Sequence, residues 1–204
     1  MPLFSFLTIQ AASEGIYKEK GSKFLAFAFP VTTEDQVKSH LKSLKKKFFD
    51  ARHHGYAYIL GPGKEKSRAF DDGEPAHSTG DPILGQLKSK NLTDVLVVVV
   101  RYFGGVKLGV GGLISAYKTA AEHALHHAVI VEKEVTERFE LMYDYVATPE
   151  AMRLVKEFDL SILVQDFKEG CRMSVESKLR HRDVFLEKIK LLKALGVKVT
   201  LIER

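Results

Sequence analysis

The sequence predicts an α+β fold in two domains, residues 1–133 and 134–204, and three observations carry that expectation. At 204 residues and 45% hydrophobic content, the chain is long enough to bury two modest cores. A short charged stretch, Glu132 to Thr136, separates two complete hydrophobic patterns. Beyond that stretch the pattern reads β-α-β-β-α-β, the order of a split βαβ, ferredoxin-like domain with two helices on one face of a four-stranded sheet.

Gly15 to Val31 alternates as two short strands that turn near Glu19-Lys20-Gly21-Ser22. A helix follows. Thr33 and Gln36 have capping-box spacing; Val37, Leu41, Leu44 and Phe48 share one face, and Lys38, Lys42 and Lys45 to Lys47 line the other as a solvated row. His53 to Leu60 reads as a strand, and Gly61 to Gly80 as a long polar connection. Asp81-Pro82 supplies an N-cap and a first-turn proline for a short helix through Lys88. Val95 to Val100 is a strand apolar on both faces. The helix after it carries a small-residue face, Leu113, Ala116, Tyr117, Ala120, Ala121, Ala124, Leu125 and Ala128, that permits close approach to a sheet.

In the second part Phe139, Leu141, Tyr143 and Tyr145 alternate as a strand, and Thr148-Pro149 caps a short helix. Leu160 to Phe167 and Arg172 to Leu179 form a hairpin around Lys168-Glu169-Gly170. Arg182 to Leu195 is an amphipathic helix ended by Gly196, and Val197 to Ile202 a last strand.

The stretch from Arg101 to Leu113 is the most informative. Five of the nine residues from Gly104 to Gly112 are glycine, leaving backbone N–H groups uncovered beside a helix N-terminus, where an anion is stabilised. Arg101 and Lys107 add full charges. Two nucleotide motifs fail on spacing: Gly112 is followed by Leu113-Ile114 rather than the Lys-Ser or Lys-Thr of a Walker loop, and Ile114 stands where a dinucleotide fingerprint needs its third glycine. The same glycines also suit tight turns and close packing alone.

Asp71-Asp72-Gly73-Glu74-Pro75 places three carboxylates in four residues. They can hold a divalent cation, supply an acid and a base, or shape a turn with salt bridges to Arg101, Lys107 or Lys23. The neighbours His53 and His54 point to opposite faces of a strand, so at most one belongs to a site. No serine lies in a Gly-x-Ser-x-Gly elbow, which leaves acyl transfer unsupported.

From Glu134 onward 13 basic residues balance 13 acidic ones, so the formal charge of +5 lies wholly in the first part, an asymmetry that fits polyanion contact. No 18-residue apolar run exists for a membrane span, and the start Met1 to Leu7 has neither a basic region nor a small-residue cleavage site; a cytoplasmic protein without a membrane partner is expected. The single cysteine, Cys171, excludes an internal disulfide and a thiol-rich zinc site. No cofactor is expected.

Lys20-Gly21-Ser22-Lys23-Phe24, Ala51-Arg52-His53-His54, Asp71 to Pro75, Val98 to Gly105, Lys107 to Leu113 and Ala116-Tyr117 together resemble the IMPACT family in its bacterial YigZ-type form, over about the first 130 residues. The pattern departs at Phe70 before Asp71 and at His77-Ser78. The resemblance implies a first domain with the domain-2-like fold of a small-subunit ribosomal protein and a ferredoxin-like second domain. It also implies a connection to translation, which the family's eukaryotic members regulate by binding a ribosome-associated activator of a stress kinase, helped by an extra N-terminal domain. This sequence is expected to lack that domain, so that partner is not carried over, and neither is any catalytic residue.

The leading expectation is a non-catalytic, translation-associated module that binds RNA or a ribosomal surface, with no DNA partner. Arg101, Lys107 and the N–H groups of Gly109, Gly111 and Gly112 hold phosphates, Lys23, Arg52 and Lys118 flank them, and Tyr102 or Phe103 stacks on a base. Two alternatives stand beside it. One is an enzyme acting on a small phosphorylated substrate, with Asp71, Asp72 or Glu74 holding a metal. The other is a regulator that docks an acidic protein on the lysine helix face.

Overall fold

The computed structural model describes residues 3–167 and 170–203. They divide into two compact units, one spanning residues 5–133 and the other running from residue 134 and including Leu3 and Phe4.

The first unit is built from β1 (Ser5–Ile9), β2 (Ser13–Glu19), β3 (Ser22–Pro30), α1 (Glu34–Lys47), β4 (His53–Leu60), β5 (Lys66–Phe70), α2 (Gly80–Ser89), β6 (Val95–Tyr102), α3 (Gly109–His127) and β7 (Ile130–Glu134). Five strands form a sheet in the order β2-β3-β6-β4-β5 with every neighbouring pair antiparallel. The strand β6 is central, and its valines serve two cores by simple alternation. Val95, Val97 and Val99 pack with α2 and α3, whereas Val98 and Val100 pack with Val37 and Leu44 of α1. The expected small-residue face of α3 is the buried one. It lies so close to the sheet that a Cβ on Gly15 of β2 would stand 2.4 Å from the Ala124 nitrogen, which is why glycine occupies that position.

Four local expectations are corrected. The polar connection from Gly61 to Gly80 contains β5, an edge strand whose residues are mostly exposed and therefore carry no apolar alternation. The helix α2 starts at Gly80 with Thr79 as N-cap, not at Asp81; the Thr79 side chain makes no capping bond. The Asp71 carboxylate supplies it instead, accepting from the N–H groups of His77, Thr79 and Gly80 at 2.8–2.9 Å. In α1 the Thr33 hydroxyl caps the Gln36 N–H as expected, but the Gln36 side chain accepts from the Thr32 N–H, one residue before the cap. The fourth correction is β7, which runs into the charged stretch expected as a linker and pairs with β1, a strand the alternation does not mark, as a separate two-stranded sheet.

The second unit contains β8 (Thr136–Tyr143), α4 (Thr148–Glu157), β9 (Ser161–Asp166), β10 (Cys171–Lys178), α5 (Arg182–Ala194) and β11 (Val199–Glu203). The sheet order is β11-β8-β10-β9, antiparallel throughout, matching the expected β-α-β-β-α-β succession. Phe139 and Leu141 of β8, Met173 and Val175 of β10, Leu154 of α4 and Phe185 and Ile189 of α5 form its core. Tyr145, expected in the first strand, lies past its end in a 3₁₀ turn and is exposed, and Thr148 is the first helical residue rather than the cap. The expected hairpin turn at Lys168-Glu169 lies outside the described residues. Among the described residues no helix is long and apolar enough to cross a membrane.

Candidate functional site

At the end of β6 the alternation that divides the valines also divides the next two residues. Arg101 falls on the side of Val97 and Val99, opposite Phe24 of β3 and His53 of β4 in register. Tyr102 falls on the α1 side, where its hydroxyl donates to Asp50 at 2.7 Å. Burying a guanidinium requires an ionic partner, and Glu74 provides it: Arg101 Nη1 lies 2.6 Å from Glu74 Oε1, with both side chains at least nine-tenths buried. The guanidinium also lies 5.5 Å from the Phe24 ring and 5.6 Å from the Phe103 ring. Tyr117 of α3 donates to the same Glu74 oxygen at 2.9 Å. Burial above all, then the Glu74 charge and this hydrogen bond, push the Tyr117 phenol far above its ordinary value, so it remains a neutral donor. One buried donor of the cluster, Arg101 Nε, has no partner among the described residues.

The three carboxylates of the acidic loop diverge. Asp71 caps α2, as described. Asp72, at φ 48°, accepts from the His54 N–H at 2.8 Å and pairs with Lys45 of α1 at 3.3 Å, while its carbonyl accepts from His53 Nδ1–H. Glu74 turns to Arg101 and Tyr117. The three share no partner, and among the described residues no group of acids, histidines and cysteines is placed to hold a metal ion. The loop fastens five elements: α2 through Asp71, β4 and α1 through Asp72, and β6 and α3 through Glu74. His54 is held below the ordinary histidine value chiefly by burial, with Lys45 and His53 acting in the same direction and Asp72 against them.

The glycine loop arches from Phe103 to Leu108. Gly104 lies directly on the β2–β3 turn: its N–H donates to Ser22 Oγ at 3.1 Å, and a Cβ there would stand 1.9 Å from the Gly21 carbonyl carbon. The helix α3 then begins with no side-chain cap and no acidic residue in its first turn. Gly109 has φ +72°, and a Cβ on Gly109 or Gly111 would meet nothing within 4 Å. The first-turn N–H groups of α3 therefore lack intrahelical acceptors, and no side chain among the described residues replaces them.

Beside this helix end is a cleft of about 440 Å³ that joins the two loops. Its charged lining is Arg52, Arg101, Lys107 and Glu74, with His53 among them; Phe103, Leu108, Val110, Leu113 and Pro75 form apolar walls. Of the residues singled out in the sequence for binding, the cleft brings together Arg52, Arg101, Phe103, Lys107, Gly109 and Glu74. Gly111 and Gly112 continue the same helix turn but are not part of its lining. Lys23 pairs with Tyr102 across β3 and β6, so both belong to the α1 side of the sheet. Lys118 is exposed on α3, about 13 Å along the helix from Gly109. Arg101 and Tyr102 cannot hold one ligand between them, because adjacent strand residues face opposite ways. Sequence reasoning missed two participants. Tyr117 reads as an ordinary core residue of the small face, and His53 was one of two equivalent histidines until its strand partner was known to be Arg101.

A family model described as the Impact N-terminal domain matches residues 20–125, which contain the acidic loop, the glycine loop and most of α3. The IMPACT family member YvyE of Bacillus subtilis (strain 168) is 36% identical over 143 residues, covering 70% of this chain and 66% of that relative, just under two thirds of its length. The IMPACT family member YigZ of Escherichia coli (strain K12) is 32% identical over 163 residues, covering 78% of this chain and 80% of that relative. A crystal structure described as that of a hypothetical protein superposes over 100% of this chain and 98% of its own, with a TM-score of 0.78 and 26% identity. The domain match falls on the unit that carries the Glu74–Arg101–Tyr117 cluster, and with these relatives it shows that the chain belongs to the IMPACT family.

Proposed function

We propose that this protein is a non-catalytic, translation-associated regulator that binds RNA, free or on a ribonucleoprotein surface, through the cleft of its first unit. Family membership supports the connection to translation. The observation that carries the RNA reading is the uncapped start of α3 flanked by two exposed cations, Arg52 and Lys107; neither pairs with a carboxylate among the described residues. Phe103, 47% exposed on the cleft wall, offers a face on which a base can stack. The divergent carboxylates favour this reading over a metal-dependent enzyme, because each is already engaged in holding the scaffold.

Filter binding of a single-stranded RNA oligonucleotide tests it. Affinity falls steeply with salt, and Lys107→Ala lowers the slope of log affinity against log salt by about 0.7, the share of one phosphate contact. Absence of binding at low salt, or an unchanged slope in Lys107→Ala, overturns the assignment.

A further inference from the structure

Resting on the RNA reading, we propose that the cleft recognises the terminal phosphate of an RNA 5′ end rather than an internal phosphodiester. Three features point to a monoester. The lining carries Arg52, Arg101 and Lys107 against the single carboxylate Glu74, so it is doubly positive before the helix end is counted. That matches the dianion of a terminal phosphate better than the single charge of an internal one. The donors that converge there also outnumber the two free oxygens of a diester. They are the first-turn N–H groups of α3, left without a side-chain cap, together with the Lys107 ammonium and the Arg52 guanidinium.

The third feature is independent of the helix end. Arg101 is 5% exposed, lines the cleft and engages Glu74 through Nη1; its Nε is buried with no partner among the described residues. Burying a guanidinium with an unsatisfied donor is costly, and because Nε is shut off from solvent where it stands, a turn of the side chain toward the cleft is what lets an oxyanion supply the acceptor that Glu74 does not. Pro75, Leu108 and Leu113 replace water with apolar wall at this point, which strengthens each charge-assisted bond. Phe103 stands on the same wall, where the first base of the strand can stack on it.

Fluorescence anisotropy on the full chain compares two RNA oligonucleotides of one sequence, one with a 5′-phosphate and one with a 5′-hydroxyl. The phosphorylated strand binds about tenfold more tightly, the value of one further charge-assisted contact set. A second arm uses Gly111→Asp, which places a carboxylate in the first turn of α3 where there is open space for it. That substitution favours the helix through its dipole, so folding and melting temperature are kept or raised, while preference for the 5′-phosphate disappears through repulsion. Equal affinity for the two strands overturns this inference and leaves RNA binding intact. Failure of both strands to bind overturns the RNA reading, and this inference with it. Retention of the 5′-phosphate preference in Gly111→Asp places the phosphate elsewhere and overturns the inference.

Discussion

Removing Glu74 is expected to be the most damaging single change in the first unit. Arg101 is 5% exposed and Glu74 is the carboxylate bonded to it, at 2.6 Å, so Glu74→Ala leaves a buried cation without compensation. Such a loss costs about 3–5 kcal/mol, a large part of the roughly 5–15 kcal/mol that holds a domain folded. The Tyr117 hydroxyl loses its acceptor in the same step. Glu74→Gln keeps an acceptor oxygen in place and costs less, and the double variant Glu74→Leu with Arg101→Met, which removes both charges and fills the space, recovers most of the loss. Urea titrations of the full chain by far-ultraviolet circular dichroism measure these differences, with hydrogen exchange of the β6 amides identifying the transition of the first unit. A Glu74→Ala variant within about 0.5 kcal/mol of the parent, or a double variant as unstable as the sum of its singles, refutes the claim that this pair fastens the acidic loop to β6.

Three other outcomes are expected. Because burial holds His54 below the ordinary 6.5, the unfolded chain takes up a proton that the folded one refuses. Stability therefore falls as pH drops below about 6.5 and is unaffected by this group above it. His54→Gln flattens that acid limb in denaturation series measured in a His77→Asn background, which removes the opposite contribution of His77, held above its ordinary value by its hydrogen bond to Asp81. Gly104→Ala drives a Cβ into the Gly21 backbone at 1.9 Å and lowers the melting temperature sharply, whereas Gly111→Ala meets nothing within 4 Å and leaves it unchanged or raises it, helix propensity favouring alanine by up to about 1 kcal/mol. We also propose the break between residues 133 and 134 as a folding boundary: a fragment of residues 134–204 unfolds cooperatively by itself in a urea titration, and a broad, non-cooperative loss of signal contradicts it.

The elements that the sequence made legible are those whose pattern is local. The strand β4 spans His53–Leu60 as the sequence reads, β6 is buried on both faces as its run of valines requires, and the small-residue face of α3 lies against the sheet. The strands β1 and β7 escaped because their pairing joins segments more than 100 residues apart, and neither has a long apolar stripe to declare it. The edge strand β5 escaped because Lys66, Ser67 and Arg68 face solvent and mimic a loop. At the site, the glycine loop and the acidic loop were visible as motifs, but the burial of Arg101 was not. A cation at the end of an apolar run reads as the point where a strand meets water, and only a carboxylate 27 residues away allows it to stay inside. The expectation that Arg101 and Tyr102 serve one ligand fails on strand alternation, which turns adjacent residues to opposite faces.

Titration of the ¹⁵N-labelled full chain with a single-stranded RNA oligonucleotide, read by amide chemical shifts, tests the central claim most directly. The account predicts the largest perturbations at Lys107 to Gly111 and at Arg52 and Phe103, with the Arg101 Nε–H resonance shifting in step, and little change from residue 136 onward. Perturbations concentrated on the lysine row of α1 or in the second unit, with the start of α3 unmoved, would contradict it.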